Sequence, residues 1–290
     1  MTKPQLCKLL TKAFNKPGWK WERKYDGARM LALTMGTDYT LTARSGTDKT
    51  LHFPELNFIG VKDLLLDGEV ISAAGLSFQE GIQPRINRVE DQVDMSVCLP
   101  ACYMVFDILQ VEDTLLFDWP LRKRRALLEE VLRPTENVLL VPQYNDGVAL
   151  YERAKAEGWE GVVGKDMEAP YAQGKRNWIK VKCWHEDVYW VVGFTAGTGK
   201  REPYFGALKL ATYDKDSCEF TSVGEVGTGF TDEILEQLTK ELNARHYTAG
   251  HSIVMAGCGG ENDILRVNIK YLEVTNAGQL RFPVYLGKAQ

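Results

Sequence analysis

No apolar run in this 290-residue chain is long enough to cross a bilayer, which excludes a helical membrane protein. The lysines near the N-terminus are not followed by an apolar segment with a small-residue cleavage site, so no signal peptide is read and a cytoplasmic location is expected. Cysteine is sparse: the six residues Cys7, Cys98, Cys102, Cys183, Cys218 and Cys258 form no Cys-x-x-Cys pair. The four histidines, His52, His185, His246 and His251, are equally dispersed. A structural metal is therefore not expected, and the cysteines read as reduced packing residues. Excess positive charge is missing too: a net charge of -4 supplies no global field toward nucleic acid. Phosphate-cradle fingerprints also fail. Gly197-Thr198-Gly199-Lys200 lies one residue too far from Gly193 for a P-loop, and Arg201 replaces the required Ser or Thr. No Gly-x-Gly-x-x-Gly opens a helix after a strand, and no repeat or low-complexity tract is found.

What is present is an ordinary globular composition, 44% hydrophobic and 26% charged, in a chain comfortable for two domains. Lys3, Lys8, Lys12, Lys16, Lys20, Arg23, Lys24 and Arg29 crowd the first thirty residues against only Glu22 and Asp26. Leu6, Leu9, Leu10, Ala13 and Phe14 recur at helical spacing and predict a helix ended by Pro17-Gly18. Strands are predicted at Trp19 to Glu22, Arg29 to Thr34, Tyr39 to Ala43, around Asp67-Gly68-Glu69, at Cys102 to Leu109 and at Trp178 to Lys182. Helices are predicted at Leu121 to Leu132 and Tyr151 to Glu157. After Lys182 the texture changes to short strands (Val188 to Phe194, Ala207 to Tyr213, Glu219 to Gly224) separated by Gly- and Asp-rich turns. A helix capped by Thr231-Asp232 follows, then strands near Ile253 to Ala256 and Val267 to Val274. This fits a small oligonucleotide-binding-type barrel. The expected domains are 1–184 and 185–290, in an α+β chain with mostly antiparallel sheets.

The chemistry concentrates in five short pieces, in order: Lys24-Tyr25-Asp26-Gly27, Leu66-Asp67-Gly68-Glu69, Tyr103 to Ile108, Glu160-Gly161-Val162-Val163 and Lys180-Val181-Lys182. Lys24 becomes a nucleophile only if its pKa is lowered. Asp26-Gly27 supplies a tight turn that lets backbone approach a ligand, and Arg29 a fork of donors for phosphate or ribose oxygens. Each piece alone has a blander explanation: a solvated turn, a satisfied strand-end carboxylate at Glu69, a core Phe106, a solvated edge at Lys180 and Lys182. Together they supply a nucleophilic amine, an aromatic face for a base, carboxylates for ribose and metal, and cations around a phosphate.

In this order the set resembles the covalent nucleotidyltransferase superfamily of ATP-dependent DNA ligases, RNA ligases and mRNA capping enzymes, over about Trp21 to Gly287. The resemblance implies a nucleotidyltransferase (adenylation) domain followed by an OB-fold barrel, with ATP as AMP donor and Mg2+ or Mn2+ as metal. It implies that Lys24 takes AMP as a phosphoramidate, that Glu22 reads the adenine edge, and that Arg29 lies near ribose and phosphate. Glu69 would hold the ribose hydroxyls. Phe106 would stack on the purine, with Val163 or its neighbour on the other face. Lys180 and Lys182 would contact the α-phosphate, Glu160 the metal, and Arg44 the 5'-phosphate of a nick.

The second half is similar to the barrel of ATP-dependent DNA ligases, most of all the ligase module of bacterial end-joining ligases. It has Gly193-Phe194, Gly206-Ala207-Leu208, Val223 to Phe230 and the ending Gly278 to Gly287. That implies sealing of nicked duplex DNA by a monomer. An RNA ligase or capping enzyme on the same scaffold, and a turnover-deficient DNA-end binding module, are the alternatives. Two departures stand out. The usual arginine-containing segment after Leu286-Gly287 is missing, so either Arg281 or Lys288 orients pyrophosphate or the first step is slow and the enzyme reloads poorly, and only about twenty residues precede Lys24. DNA contacts are therefore expected from the N-terminal lysines, Arg85, Arg88, Lys200 and Arg201. Arg122-Lys123-Arg124-Arg125 reads equally well as a solvated helix start.

Overall fold

The structure, a computed structural model, describes residues 2–36, 38–58, 63–88, 90–244 and 264–289. Its chain divides into two compact units, Met1–Cys183 and Trp184–Gln290. In chain order unit 1 contains β1 (Cys7–Leu10), β2 (Trp19–Lys24), β3 (Ala28–Met35), β4 (Asp38–Ala43), β5 (Leu64–Ser72), a π-helical turn Phe78–Ile82 continuing into α1 (Gln83–Ile86), and α2 (Gln92–Cys98). Then come β6 (Ala101–Val111), β7 (Thr114–Leu115), α3 (Leu121–Val131), β8 (Val138–Leu140), α4 (Gly147–Ala156), β9 (Gly161–Asp166) and β10 (Trp178–Lys182).

These strands form two sheets. One has the order β1-β10-β9-β2, the other β4-β3-β5-β6-β7 with β8 added beside β6. Most pairings are antiparallel; β1 with β10 and β6 with β8 are parallel. In the first sheet the period-two alternation sorts side chains by face. Trp21, Val162 and Val181 bury together against Leu150 and Ala154 of α4, which leaves Glu22, Lys24, Val163, Lys180 and Lys182 on the opposite face. In the second sheet β6 is buried almost along its whole length, and Tyr103, Val105 and Ile108 join Leu66, Val70 and Leu128 in the main core.

Unit 2 contains β11 (His185–Ala196), β12 (Phe205–Asp214), β13 (Glu219–Val226), α5 (Asp232–Ala244), β14 (Arg266–Tyr271), β15 (Glu273–Val274), β16 (Leu280–Arg281) and β17 (Val284–Lys288). Its main sheet has the order β13-β12-β11-β14-β17 and is antiparallel throughout. The Tyr285 amide donates to Thr228 O at 3.0 Å, so the two ends of the sheet approach each other. Leu235, Leu238 and Leu242 of α5 bury as one stripe, and Thr231 Oγ1 caps that helix by accepting from the Ile234 amide. The strand number, the sheet order and the single helix among the described residues are consistent with an OB-fold.

The expected helix over Leu6 to Phe14 is not formed; Cys7–Leu10 is strand β1. The spacing was real, but β10 presents an open edge, and pairing with it outweighs an isolated short helix. Leu10, Ala13 and Phe14 still pack on the cluster around Trp21. Helix α1, helix α2 and the short strand β8 were not foreseen. Cys218 is disulfide-bonded, contrary to the all-reduced expectation, because scatter along a chain does not reveal which thiols meet in space. Cys7, Cys98, Cys102 and Cys183 are free. The expected strand at Ile253 to Ala256, Cys258, His246 and His251 lie outside the described residues. No described helix is long and apolar enough to cross a membrane.

Candidate active site

The two sheets of unit 1 enclose a cavity of about 210 Å³ lined by both. Glu22, Lys24, Val163 and Lys180 reach it from the first sheet, and Arg29, Glu69 and Phe106 from the second, with Arg44 at its rim. Register explains the convergence. Glu22, Val163 and Lys180 are cross-strand neighbours, as are Lys24, Gly161 and Lys182 one row further. In the second sheet Arg29 of β3 is the cross-strand neighbour of Glu69 of β5. The β5–β6 pairing shifts between Asp67↔Asp107 and Gly68↔Val105, leaving Phe106 as the extra residue of a β-bulge. Such a bulge re-aims a side chain, here toward the cavity.

The turn that carries Lys24 is closely packed. A Cβ on Gly27 would stand 2.2 Å from Val70 O and 2.9 Å from Glu69 Cγ. Asp26 Oδ2 accepts the Phe78 amide at 2.8 Å, tying the turn to the helical segment. Gly161, at φ +149°, lies beside Lys24 where a Cβ would meet Val181 O at 2.1 Å.

Lys24 Nζ donates to Glu160 Oε2, and Lys182 Nζ lies 3.1 Å from Glu160 Oε1. Burial pulls the Lys24 pKa down, but Glu160 and then Glu69 outweigh it, so the ammonium is held above its ordinary value. The lowered pKa that a nucleophilic lysine needs is thus not present in the resting site. Glu69 is pushed up to about 7 by burial, against the opposing pull of Lys24 and Arg29. Lys180 is lowered by burial and then by its neighbours Lys182 and Lys24.

Arg29 does not offer an open fork. Nε and Nη2 donate to Asp67 Oδ1 and Oδ2 at 2.9 and 2.6 Å, and Nη1 donates to Gln5 O. Its Nη2 also lies 3.4 Å from the Tyr171 hydroxyl. Of the five guanidinium hydrogens, one on Nη1 remains for a ligand. Glu22 is buried: Oε1 accepts from Gln143 Nε2 at 2.8 Å and Oε2 lies 2.6 Å from Lys165 Nζ.

Lys165, Trp178, Gln143, Tyr171 and Cys7 are the residues that sequence reasoning missed. Lys165 Nζ sits 4.3 Å from the Phe106 ring centre and 4.2 Å from that of Trp178, and Phe106 meets Trp178 edge-on at 5.6 Å. The alternation Gly161, Val163, Lys165 was a usable signal, since it puts Lys165 on the cavity face. Gln143, Tyr171 and Cys7 come from distant segments and left no local signal.

Of the cations considered for DNA contact, Arg85 and the more doubtful Arg124 and Arg125 are buried. Arg85 is fully buried, paired with Glu55 and donating to His52 O and Leu99 O. Its charge is satisfied inside the fold, so the expectation that it grips phosphates is corrected. Arg201 is half-buried and directs Nη1 at Gly227 O (2.8 Å) and Gly206 O (3.3 Å), which ties down a loop of unit 2. Arg124 is buried against Asp107 (2.9 Å) and Arg125 against Glu129 and Val141 O, so neither belongs to a solvated helix start. Arg44, Arg88 and Lys200 are exposed. Of the suggested pyrophosphate residues, Arg281 is nearly buried and bonded to Glu273, and Lys288 pairs with Glu241. Among the described residues no cluster of three His, Cys, Asp or Glu side chains forms a metal site, so Glu160 would need ligand oxygens to complete one.

With this geometry in hand, comparison with known proteins is direct. The ATP dependent DNA ligase domain matches residues 4–182, and the ATP dependent DNA ligase C terminal region matches residues 201–289. The DNA ligase of Thermococcus onnurineus (strain NA1) is 30% identical over 296 residues, covering 92% of this chain and 50% of that protein. That of Archaeoglobus fulgidus is 36% identical over 234 residues, covering 76% and 42%. The chain thus spans about half the length of the curated relatives it matches. The solved ligase domain of M. tuberculosis LigD is 24% identical, covers 99% of this chain and 95% of its own, and gives a TM-score of 0.53. A Lig E DNA ligase structure, described as DNA binding with a minimal scaffold, covers both chains fully at 19% identity and a TM-score of 0.66. At those identities the likeness is one of fold. Both halves of the sequence match in order, and the chain belongs to the ATP-dependent DNA ligase family.

Proposed function

We propose that the protein seals 5'-phosphate/3'-hydroxyl nicks in duplex DNA, using ATP and a lysyl-AMP intermediate on Lys24. The observation that supports this most is the placing of Lys24 at a cavity walled by Glu22, Glu69, Phe106 and Val163, with Lys180 beside it. Lys24 Nζ forms a bond to the α-phosphorus of ATP as the bond to the β-phosphate oxygen breaks and pyrophosphate leaves. AMP then passes to the 5'-phosphate of the nick, and the adjacent 3'-hydroxyl displaces it.

The chain's own groups divide the work. The ammonium must lose a proton before it attacks, and Glu160, already accepting its hydrogen bond, is the base in reach. Lys180 and Lys182 stabilise charge on the α-phosphate. Glu69 accepts from ribose hydroxyls, while Phe106 and Val163 enclose the purine and Glu22 faces its amino edge. Arg29 acts as a fixed positive charge beside the nucleotide, with one donor to spare. Exposed Arg44 meets the nick phosphate, and Arg88 and Lys200 meet the backbone in a salt-dependent way.

Glu160 is a hard oxygen donor that would hold Mg2+ jointly with substrate phosphates once its carboxylate gave up its contact to Lys24 or Lys182. When bound, the ion would withdraw charge from the phosphate oxygens. The test is incubation with radiolabelled ATP and Mg2+, followed by nicked duplex. Label should appear on Lys24 and be discharged as the nick closes. Absence of covalent label would remove the reading.

A further inference from the structure

Tyr171 lies behind the cavity rather than in it, yet its hydroxyl is fully used. It donates to Asp67 Oδ2 at 2.6 Å and accepts from the Gln5 amide at 3.0 Å. Arg29 Nη2 stands 3.4 Å away as a second, weaker donor. A phenol has one hydrogen and two acceptor sites, so all three are occupied. Burial, then the charge of Asp67, raises its pKa and keeps it protonated, hence a donor to that carboxylate.

The partners of this hydroxyl are what matter. Asp67 is fully buried and holds both arms of the Arg29 fork. Gln5 holds the remaining arm through its carbonyl and accepts from the Ala172 amide through Oε1. The next residues, Leu6 and Cys7, line the cavity directly, and the Leu6 amide donates to Lys175 O at 2.7 Å. One hydroxyl therefore joins β3 (Arg29), β5 (Asp67), the segment after β9 (Tyr171) and the segment before β1 (Gln5).

We propose that Tyr171 is a positioning residue for the nucleotide site, fixing the Arg29 guanidinium through Asp67 and Gln5 so that its one free hydrogen points into the cavity. This rests on the nucleotide reading above. Without the hydroxyl, Asp67 loses a charge-assisted bond and the Gln5 amide is left unpaired. The guanidinium then gains alternative orientations, and bound nucleotide loses a pre-set contact. Because Tyr171 touches no substrate, ground-state affinity is affected more than the transfer step.

The test measures equilibrium binding of ATP by titration calorimetry, and the single-turnover rate of Lys24 labelling at saturating ATP. It compares wild type, Tyr171→Phe, Arg29→Ala and the double variant. Tyr39→Phe, which removes a hydroxyl bond to Phe53 O (2.7 Å) outside the cavity, controls for a general loss of stability. Tyr171→Phe is expected to weaken ATP binding about tenfold, the scale of one hydrogen bond to a charged group, with the saturated rate within about threefold. The loss should vanish in the Arg29→Ala background, and Tyr39→Phe should bind ATP as wild type does. Unchanged affinity in Tyr171→Phe, or an equal loss in both backgrounds, overturns the inference alone. A wild type that binds no ATP overturns the nucleotide reading, and this inference with it.

Discussion

Lys24 and Glu160 are bonded to each other across β2 and the start of β9, so the residue assigned as nucleophile rests as a paired ammonium. Burial alone would favour the free amine, and the carboxylate reverses that preference. Glu160→Gln should therefore lower the Lys24 pKa. The check is the pH dependence of Lys24 acylation by a small amine reagent, read by peptide mass spectrometry. Labelling should begin at lower pH in the variant, and an unchanged profile would contradict the pairing.

Glu69, with a folded pKa of about 7 against an ordinary 4.5, makes two pH predictions. Its folded pKa is raised, so ionisation costs stability. The nucleotide-free protein should lose up to about 3 kcal/mol as pH rises from the ordinary carboxylate range through 7. Nucleotide loading should rise over the upper part of the same window as the carboxylate becomes a full acceptor. Glu69→Gln should flatten both profiles, measured by denaturant melts and by initial labelling rates.

Arg85 and Arg88 are separated by three positions and predicted to behave oppositely. Arg85→Ala empties a fully buried side-chain site and takes the partner from the half-buried Glu55 carboxylate, and should cost about 3–5 kcal/mol in urea unfolding. Arg88→Ala, at an exposed position, should leave stability within about 0.5 kcal/mol. If it contacts a phosphate, the salt slope of DNA binding should fall by about one ion.

Gly27→Ala should fail for a steric reason. The added methyl would meet Val70 O at 2.2 Å, and the backbone carbonyl cannot swing aside as a side chain would. A loss of about 1–3 kcal/mol is expected, with Lys24 labelling reduced more steeply than the folded fraction. Wild-type labelling in a folded Gly27→Ala protein would show that the turn has slack.

What could be read in advance followed from local periodicity. Trp21 against Glu22 and Lys24, or Val162 against Val163, alternate as strands that separate core from cavity: Trp21 and Val162 are buried against α4, and Glu22, Lys24 and Val163 line the site. What could not be read depended on partners far along the chain. Arg85 looks like a surface cation until Glu55 is placed beside it, and Arg29 looks like an open fork until Asp67 fills it. Tyr171 belongs to no local pattern, because its role comes from contacts to residues 5 and 67. Cys7–Leu10 was misread because its apolar spacing suits a helix as well as an edge strand, and only the open edge of β10 decides between them.

The central claim is that Lys24 forms a covalent bond with the α-phosphorus of ATP. The most direct measurement is mass spectrometry of the intact protein and its Lys24 peptide after incubation with ATP and Mg2+. The account predicts one added AMP on the wild-type peptide, none on Lys24→Ala, and loss of the adduct when nicked duplex DNA is supplied. An AMP adduct on another residue, or none on a folded wild type that binds ATP, would contradict it.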